Sequence, residues 1–127
     1  MSYLLDSHIV YWFCIFDKRL PTKIRKLIED VNETVIYSVV TPWELSIKES
    51  KKKIALPKNF FSLLPNIGFD CLPIEESHVD HLRSLPKLHH DPFDRMLVAQ
   101  AKAEKLTLIT ADKELAVYPI KTLLVSL

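Results

Sequence analysis

Apolar residues fall in blocks along this chain, and their spacing changes character from block to block. YLL (3–5) is a short apolar run closed by Asp6 and Ser7, which reads as a buried strand followed by a helix cap. IVYWFCIF (9–16) is apolar on every side, and its β-branched and aromatic content would also suit a strand. A helix is expected, because Asp6 and Ser7 offer caps and no turn separates this run from the first strand. PTKIRKLIEDV (21–31) starts with proline and sets Ile24, Leu27, Ile28 and Val31 at helical spacing. TVIYSVV (34–40) is a β-branched strand. TPWELSIKESKKK (41–53) predicts a helix with Thr41 as N-cap, Pro42 at its first position and a basic last turn that matches the helix dipole.

After Pro57, a short helical segment (58–64) leads to a third strand near FDCLPI (69–74). EESHVDHLRSL (75–85) is helical and PKLHH (86–90) a loop. DPFDRMLVAQAKAEK (91–105) is the clearest helix of all, and LTLIT (106–110) and KTLLVSL (121–127) are strands. Strands alternating with helices predict an α/β fold: a three-layer α/β/α sandwich with a mostly parallel sheet of about five strands. No repeat, linker or low-complexity segment divides residues 1–127, so one domain is expected. Crossovers in such a fold are right-handed, and ligands bind beyond the carboxyl ends of the strands.

Composition narrows the function classes. The apolar fraction of 48% and charged fraction of 26% are those of a globular protein. Seventeen Lys and Arg against sixteen Asp and Glu leave a formal charge of +1, so nucleic-acid contact must come from local clustering. Gly68 is the only glycine, which removes glycine-rich phosphate loops and dinucleotide fingerprints. Cys14 and Cys71 are isolated in apolar surroundings and read as small core residues of a reducing compartment. MSYLLD carries no basic leader and no run reaches spanning length, so a cytoplasmic protein without membrane contact is expected.

The acids carry the chemistry. In this architecture Asp6 lies at the carboxyl end of the first strand, Glu44 in the first turn of the helix leaving the second, and Asp112 two residues past LTLIT. Asp94 opens the helix that feeds that strand, which puts it on the same rim. Each acid alone has a plain explanation as a cap: Thr41-Pro-Trp-Glu44 and Asp91-Pro-Phe-Asp94 both have the form of a capping box. Capping does not explain why four carboxylates share one edge, where they repel unless a cation neutralises them. An all-oxygen, carboxylate-rich site suits Mg²⁺ or Mn²⁺, and the chemistry it favours is metal-assisted phosphodiester hydrolysis.

LLDSHIVYW, SVVTPWELSIKESKKKIALP, HHDPFDRMLVAQA and LTLITADKEL, in that order, resemble the successive signature segments of PIN-domain ribonucleases. More narrowly they are similar to the VapC toxins of bacterial toxin–antitoxin pairs, over residues 3 to 124. The resemblance implies a five-stranded PIN-like nuclease domain, a homodimer, Mg²⁺- or Mn²⁺-dependent endoribonuclease activity and a cognate antitoxin. It puts the family's acidic set on Asp6, Glu44, Asp94 and Asp112, and its hydroxyl positions on Ser7 and Thr110. Ser7 and Thr41 each replace one hydroxyl residue by another. On this resemblance Asp6, Asp94 and Asp112 are the metal ligands, direct or through water, and Glu44 an outer ligand or water-orienting base. Asp91 caps the helix, and Phe93 anchors its first turn in the core.

Ser7 and Thr110 are candidates to hydrogen-bond a carboxylate or the scissile phosphate, and Arg95 to contact RNA phosphate, with capping for the hydroxyls and a carboxylate partner for the arginine as the plain alternatives. Lys48, Lys51, Lys52 and Lys53 are either an RNA-backbone patch or a solvated last turn. His78 and His81 have zinc-compatible spacing but no third ligand, and read as surface residues. His89 and His90 adjoin the acids, where general-acid work is one reading and ordinary loop polarity an adequate alternative. The all-apolar first helix leaves Tyr11, Trp12 or Phe16 for a dimer or antitoxin contact. An aspartyl phosphatase would want an acid where His8 stands. A receiver domain would want an acidic pair at its first strand and a lysine after its last. A domain that binds RNA or antitoxin without cleaving remains the alternative.

Overall fold

The computed structural model describes residues 1–88 and 90–126. Five strands, β1 (Ser2–Leu5), β2 (Thr34–Ser38), β3 (Asp70–Leu72), β4 (Thr107–Thr110) and β5 (Thr122–Leu124), form one sheet in the order β3-β2-β1-β4-β5. Every pairing is parallel; Leu4 at the centre of β1 faces Ile36 of β2 on one side and Leu108 of β4 on the other. The helices are α1 (Ser7–Cys14), α2 (Thr22–Glu29), α3 (Val40–Ser50), α4 (Phe60–Ile67), α5 (Glu76–Ser84) and α6 (Pro92–Glu104). The chain winds outward from β1 to β3, then returns to set β4 beside β1. That reversal lies between β1 and β4, and doubly wound sheets bind ligands beyond the carboxyl ends of such strands.

Strand alternation divides the interior into two cores. Tyr3, Leu5, Val35, Tyr37 and Ile109 pack against α1, α2 and α4, whereas Leu4 and Leu108 pack against Leu97, Val98 and Ala101 of α6. The three-layer sandwich is thus as expected from the pattern, and its sheet is wholly parallel. Helix α3 gives Leu45 to the first core and Val40 to the second, so it ties the two layers together. No helix among the described residues is long and apolar enough to cross a membrane.

Several expectations need correction. Helix α2 stops at Glu29, because Asp30 turns its carboxylate onto the Asn32 amide (2.9 Å), and Val31 is left exposed. Helix α3 begins at Val40, whose amide bonds the Ser38 hydroxyl at 3.0 Å, so Thr41 lies inside the helix and is no cap. Helix α4 runs on to Ile67 and ends at Gly68, whose φ of 106° only glycine adopts without strain. Cys14 is buried, which pushes its thiol up to about 11, but Cys71 lies exposed on the edge strand β3. On helix α1 Trp12 is buried beneath Arg19, and the half-buried Tyr11 donates its hydroxyl to the Ala55 carbonyl. Only Phe16 stays exposed, with the Arg25 guanidinium 4.7 Å from its ring centroid. The last expected strand ends at Leu124; Leu127 and His89 lie outside the described residues.

His78, expected at the surface, is fully buried. The α5–α6 packing covers it, and nothing in its sequence spacing foretold that. Its Nδ1 accepts the Glu75 amide at 3.0 Å, while Nε2 meets Glu104 Oε2 at 2.8 Å, so one ring joins the start of α5 to the end of α6. His81, half-buried, bonds the Ser77 carbonyl at 2.8 Å. Replacing His78 by Ala should leave a cavity and an orphaned amide, lowering stability by about 2–4 kcal/mol in urea denaturation. His81→Ala should change it by about 0.5 kcal/mol or less.

Candidate active site

Asp6 stands where β1 ends, and its amide donates to the Ile109 carbonyl of β4 at 2.9 Å. Extended backbone at Asp6 (φ −64°, ψ 153°) puts it at the cap position of α1, yet its carboxylate makes no cap bond. Instead Asp6 Oδ2 accepts the Thr110 hydroxyl at 2.7 Å, and Thr110 Oγ1 in turn accepts the Asp112 amide at 3.0 Å. Asp6 is 3% exposed, and its Oδ1 is buried with no hydrogen-bond partner among the described residues. Burial raises the Asp6 pKa, as does the neighbouring Glu44; the Thr110 hydroxyl, His8 and the Ser7 amide work against that rise.

Glu44 comes from α3 and is 4% exposed. The expected capping box is absent: the Thr41 hydroxyl meets Ser7 Oγ at 3.0 Å, and Glu44 Oε2 pairs with Lys48 Nζ at 3.2 Å, one turn along α3. Lys48 also lies 3.5 Å from His8 Nε2. Glu44 Oε1, like Asp6 Oδ1, is buried without a partner.

Helix α6 supplies the third side. Asp91 Oδ1 accepts the amides of Phe93 (2.8 Å) and Asp94 (3.2 Å), the cap expected from the motif, and Pro92 opens the first turn. Glu44, Asp91 and Asp94 each bring a carboxylate oxygen within 4.8 Å of the others. Burial pushes the Asp94 carboxyl up to about 8, reinforced by Asp6, Asp91, Glu44 and Asp112. One group therefore feels four other acids. The four acids of the sequence reading come together, and Asp91, read only as a cap, is a fifth. Its signal was present, since the cap and the third helical residue lie on one face of a first turn. Lys48, read as part of a lysine patch, instead pairs with Glu44 at the spacing of a helical ion pair.

The candidate RNA contacts have partners within the chain, and Thr110 makes the carboxylate bond that was one of its two expected uses. Ser7 is buried against Thr41, and Thr110 is engaged by Asp6 and the Asp112 amide. Arg95 bonds the carbonyls of Pro86 (2.8 Å) and Leu82 (3.4 Å) and the Tyr118 hydroxyl, with no carboxylate partner among the described residues. These residues position the rim and the start of α6. Lys51, Lys52 and Lys53 form an exposed turn beyond α3, and His90 is exposed.

The donor set fits a hard divalent cation. It is all oxygen, it is self-repelling, and two of its buried oxygens have no hydrogen-bond partner. A second grouping, Glu75, His78 and Glu104, does not fit one. The Glu75 amide must donate to His78 Nδ1, so Nε2 carries the ring proton toward Glu104 and neither nitrogen offers a lone pair.

The PIN domain model matches residues 3–121. Among solved structures, a chain of VapBC2 from Rickettsia felis bound to a promoter DNA fragment superposes with TM-score 0.74 at 18% identity, covering 99% of this chain and 100% of that one. A chain of DNA-bound VapBC from Salmonella typhimurium gives TM-score 0.71 at 19% identity, covering 99% of each. A chain of VapBC-5 from Mycobacterium tuberculosis, a member of the VapBC family of toxin-antitoxin systems, gives 0.57 at 16% identity, covering 99% and 98%. At these identities the likeness is one of fold. No curated protein sequence matches the chain.

The charge cluster sets a pH dependence. Without metal, folded Asp94 titrates at about 8 against 3.8 for the free carboxyl, so the folded form keeps a proton that the unfolded form has lost. Its contribution to stability is complete below about pH 4 and disappears as pH rises through 8. The melting temperature of the metal-free protein should fall across that window, and Asp94→Asn should flatten the slope. Adding Mg²⁺ or Mn²⁺ should raise the melting temperature most at the alkaline end and release protons, measurable by calorimetry in buffers of different ionisation enthalpy.

Proposed function

The chain belongs to the PIN-domain family, and from that premise we propose that it is a metal-dependent endoribonuclease acting as the toxin of a toxin–antitoxin pair. The observation that carries this reading is the pair of buried, unpartnered oxygens, Asp6 Oδ1 and Glu44 Oε1, within five acids at the sheet reversal. Asp6, Asp94 and Asp112 would hold Mg²⁺ or Mn²⁺, directly or through water, with Glu44 as outer ligand or water-orienting base and Asp91 beside them. When bound, such an ion supplies a water of lowered pKa and a positive charge against the scissile phosphate.

The remaining work belongs to the chain. Thr110 holds the Asp6 carboxylate in one orientation, and Lys48 pairs with one oxygen of Glu44 while the other is buried with no hydrogen-bond partner among the described residues. The N-terminus of α6 brings partial positive charge to a rim that must accept a phosphate. Arg95 keeps that helix start in place through the Pro86 and Leu82 carbonyls. The partners of this reading are RNA, a cognate antitoxin and a second copy of the chain, all in the cytoplasm; the fold likeness to VapBC chains supports the antitoxin.

Purified protein with Mn²⁺ or Mg²⁺ should cleave single-stranded RNA internally, and a chelator should stop it. Asp94→Asn and Glu44→Gln should each lower turnover by about two orders of magnitude or more, with circular dichroism unchanged, and should relieve growth inhibition. Cleavage that survives chelation, or an Asp94→Asn variant as active as the parent, would sink the assignment.

A further inference from the structure

The first turns of α3 and α6 bring together more than acids. Trp43 directly precedes Glu44, and Phe93 directly precedes Asp94. As Glu44 and Asp94 approach across the contact between these helices, so do Trp43 and Phe93, their ring centroids 4.8 Å apart at an interplanar angle of 88°. Edge-to-face packing fixes the orientation of an indole while leaving ring surface uncovered. Trp43 is 56% exposed, although most of a large apolar ring is ordinarily withdrawn from water. The result is a rigid, open aromatic surface beside a carboxylate cluster that fits a cation and a phosphate.

We propose that Trp43 is the stacking platform for a nucleobase adjoining the scissile phosphate of single-stranded RNA, and so a residue that determines which RNA is cut. The proposal rests on the nuclease reading above. A phosphate held at the acids brings its attached nucleosides along the same rim, and every base offers a π-face to an aromatic ring. Val39, one turn earlier on the same helix, is also exposed, so a protein contact at Trp43 is the competing outcome that the test separates. The requirement met here is for one oriented ring, which is what stacking needs.

The chain has two tryptophans, and Trp12 is buried, so quenching of indole fluorescence reports on Trp43. A short single-stranded RNA added with Mg²⁺ should quench the parent and leave a Trp43→Phe variant, which retains only Trp12, unaffected. In cleavage assays Trp43→Ala should raise KM by roughly 5- to 150-fold with kcat little changed, and Trp43→Phe should recover most of the loss. Removing one base at a time from the RNA should find a position beside the cut that costs the parent a similar factor and the Ala variant nothing. The proposal is overturned if Trp43→Ala, folded by its melting curve, keeps the parent's KM and base sensitivity. It is equally overturned if the substitution changes only self-association, which would make Trp43 a protein contact. Quenching without cleavage under any metal would keep the stacking role and remove the nuclease reading. Neither quenching nor cleavage removes both.

Discussion

Withdrawing the Asp6 carboxylate from water is the constraint on which the rest of the site depends. At 3% exposure it has lost its hydration, and a single hydroxyl from Thr110 restores only part of what water supplied. Its position is not adjustable, because its amide is tied to Ile109 as β1 and β4 pair. Every neighbouring group is arranged with respect to that fixed charge. Thr110 spends both its donor and an acceptor position on Asp6 and Asp112, and Lys48 balances one oxygen of Glu44. What remains is an excess of negative charge that adds to burial in pushing Asp94 up to about 8. A fold that only needed helix caps would have no reason to accumulate it.

The sheet topology is what makes the accumulation possible. Because the strand order is β3-β2-β1-β4-β5, the connections leaving β1 and β4 go to opposite faces, the arrangement at which such sheets bind ligands. Helix α3 bridges the two cores over that region, and α6 delivers Asp91 and Asp94 from the second layer. Capping and chemistry are joined at one turn: the amides of Phe93 and Asp94 hold Asp91, and the same turn aims Asp94 at Glu44. The aromatic pair Trp43–Phe93 follows from the same crossing, one residue back on each helix.

Much of the fold was legible as pattern. The order of strands and helices, the parallel sheet and the convergence of Asp6, Glu44, Asp94 and Asp112 follow from period, cap residues and the rule that such sheets work at their carboxyl ends. The cap at Asp91 was equally plain, because Asp-Pro-Phe-Asp has few other uses before an apolar helix. Where side chains choose between partners, pattern was insufficient. Thr41 and Glu44 have the spacing of a capping box, yet Ser7 and Lys48 take them. Arg95 sits next to Asp94 in sequence and turns to carbonyls of Pro86 and Leu82 instead.

The sequence by itself determined the layers, the rim and the identity of the acids on it, since periodicity and local caps depend only on near neighbours. Tertiary structure alone decided that His78 is buried, that Asp91 joins the cluster and that Trp43 stays open beside it. The physical reason is the same in each case. Burial and charge depend on what packs opposite a residue, and that partner comes from a segment distant in the chain, placed by the sheet reversal and the crossing of α3 with α6.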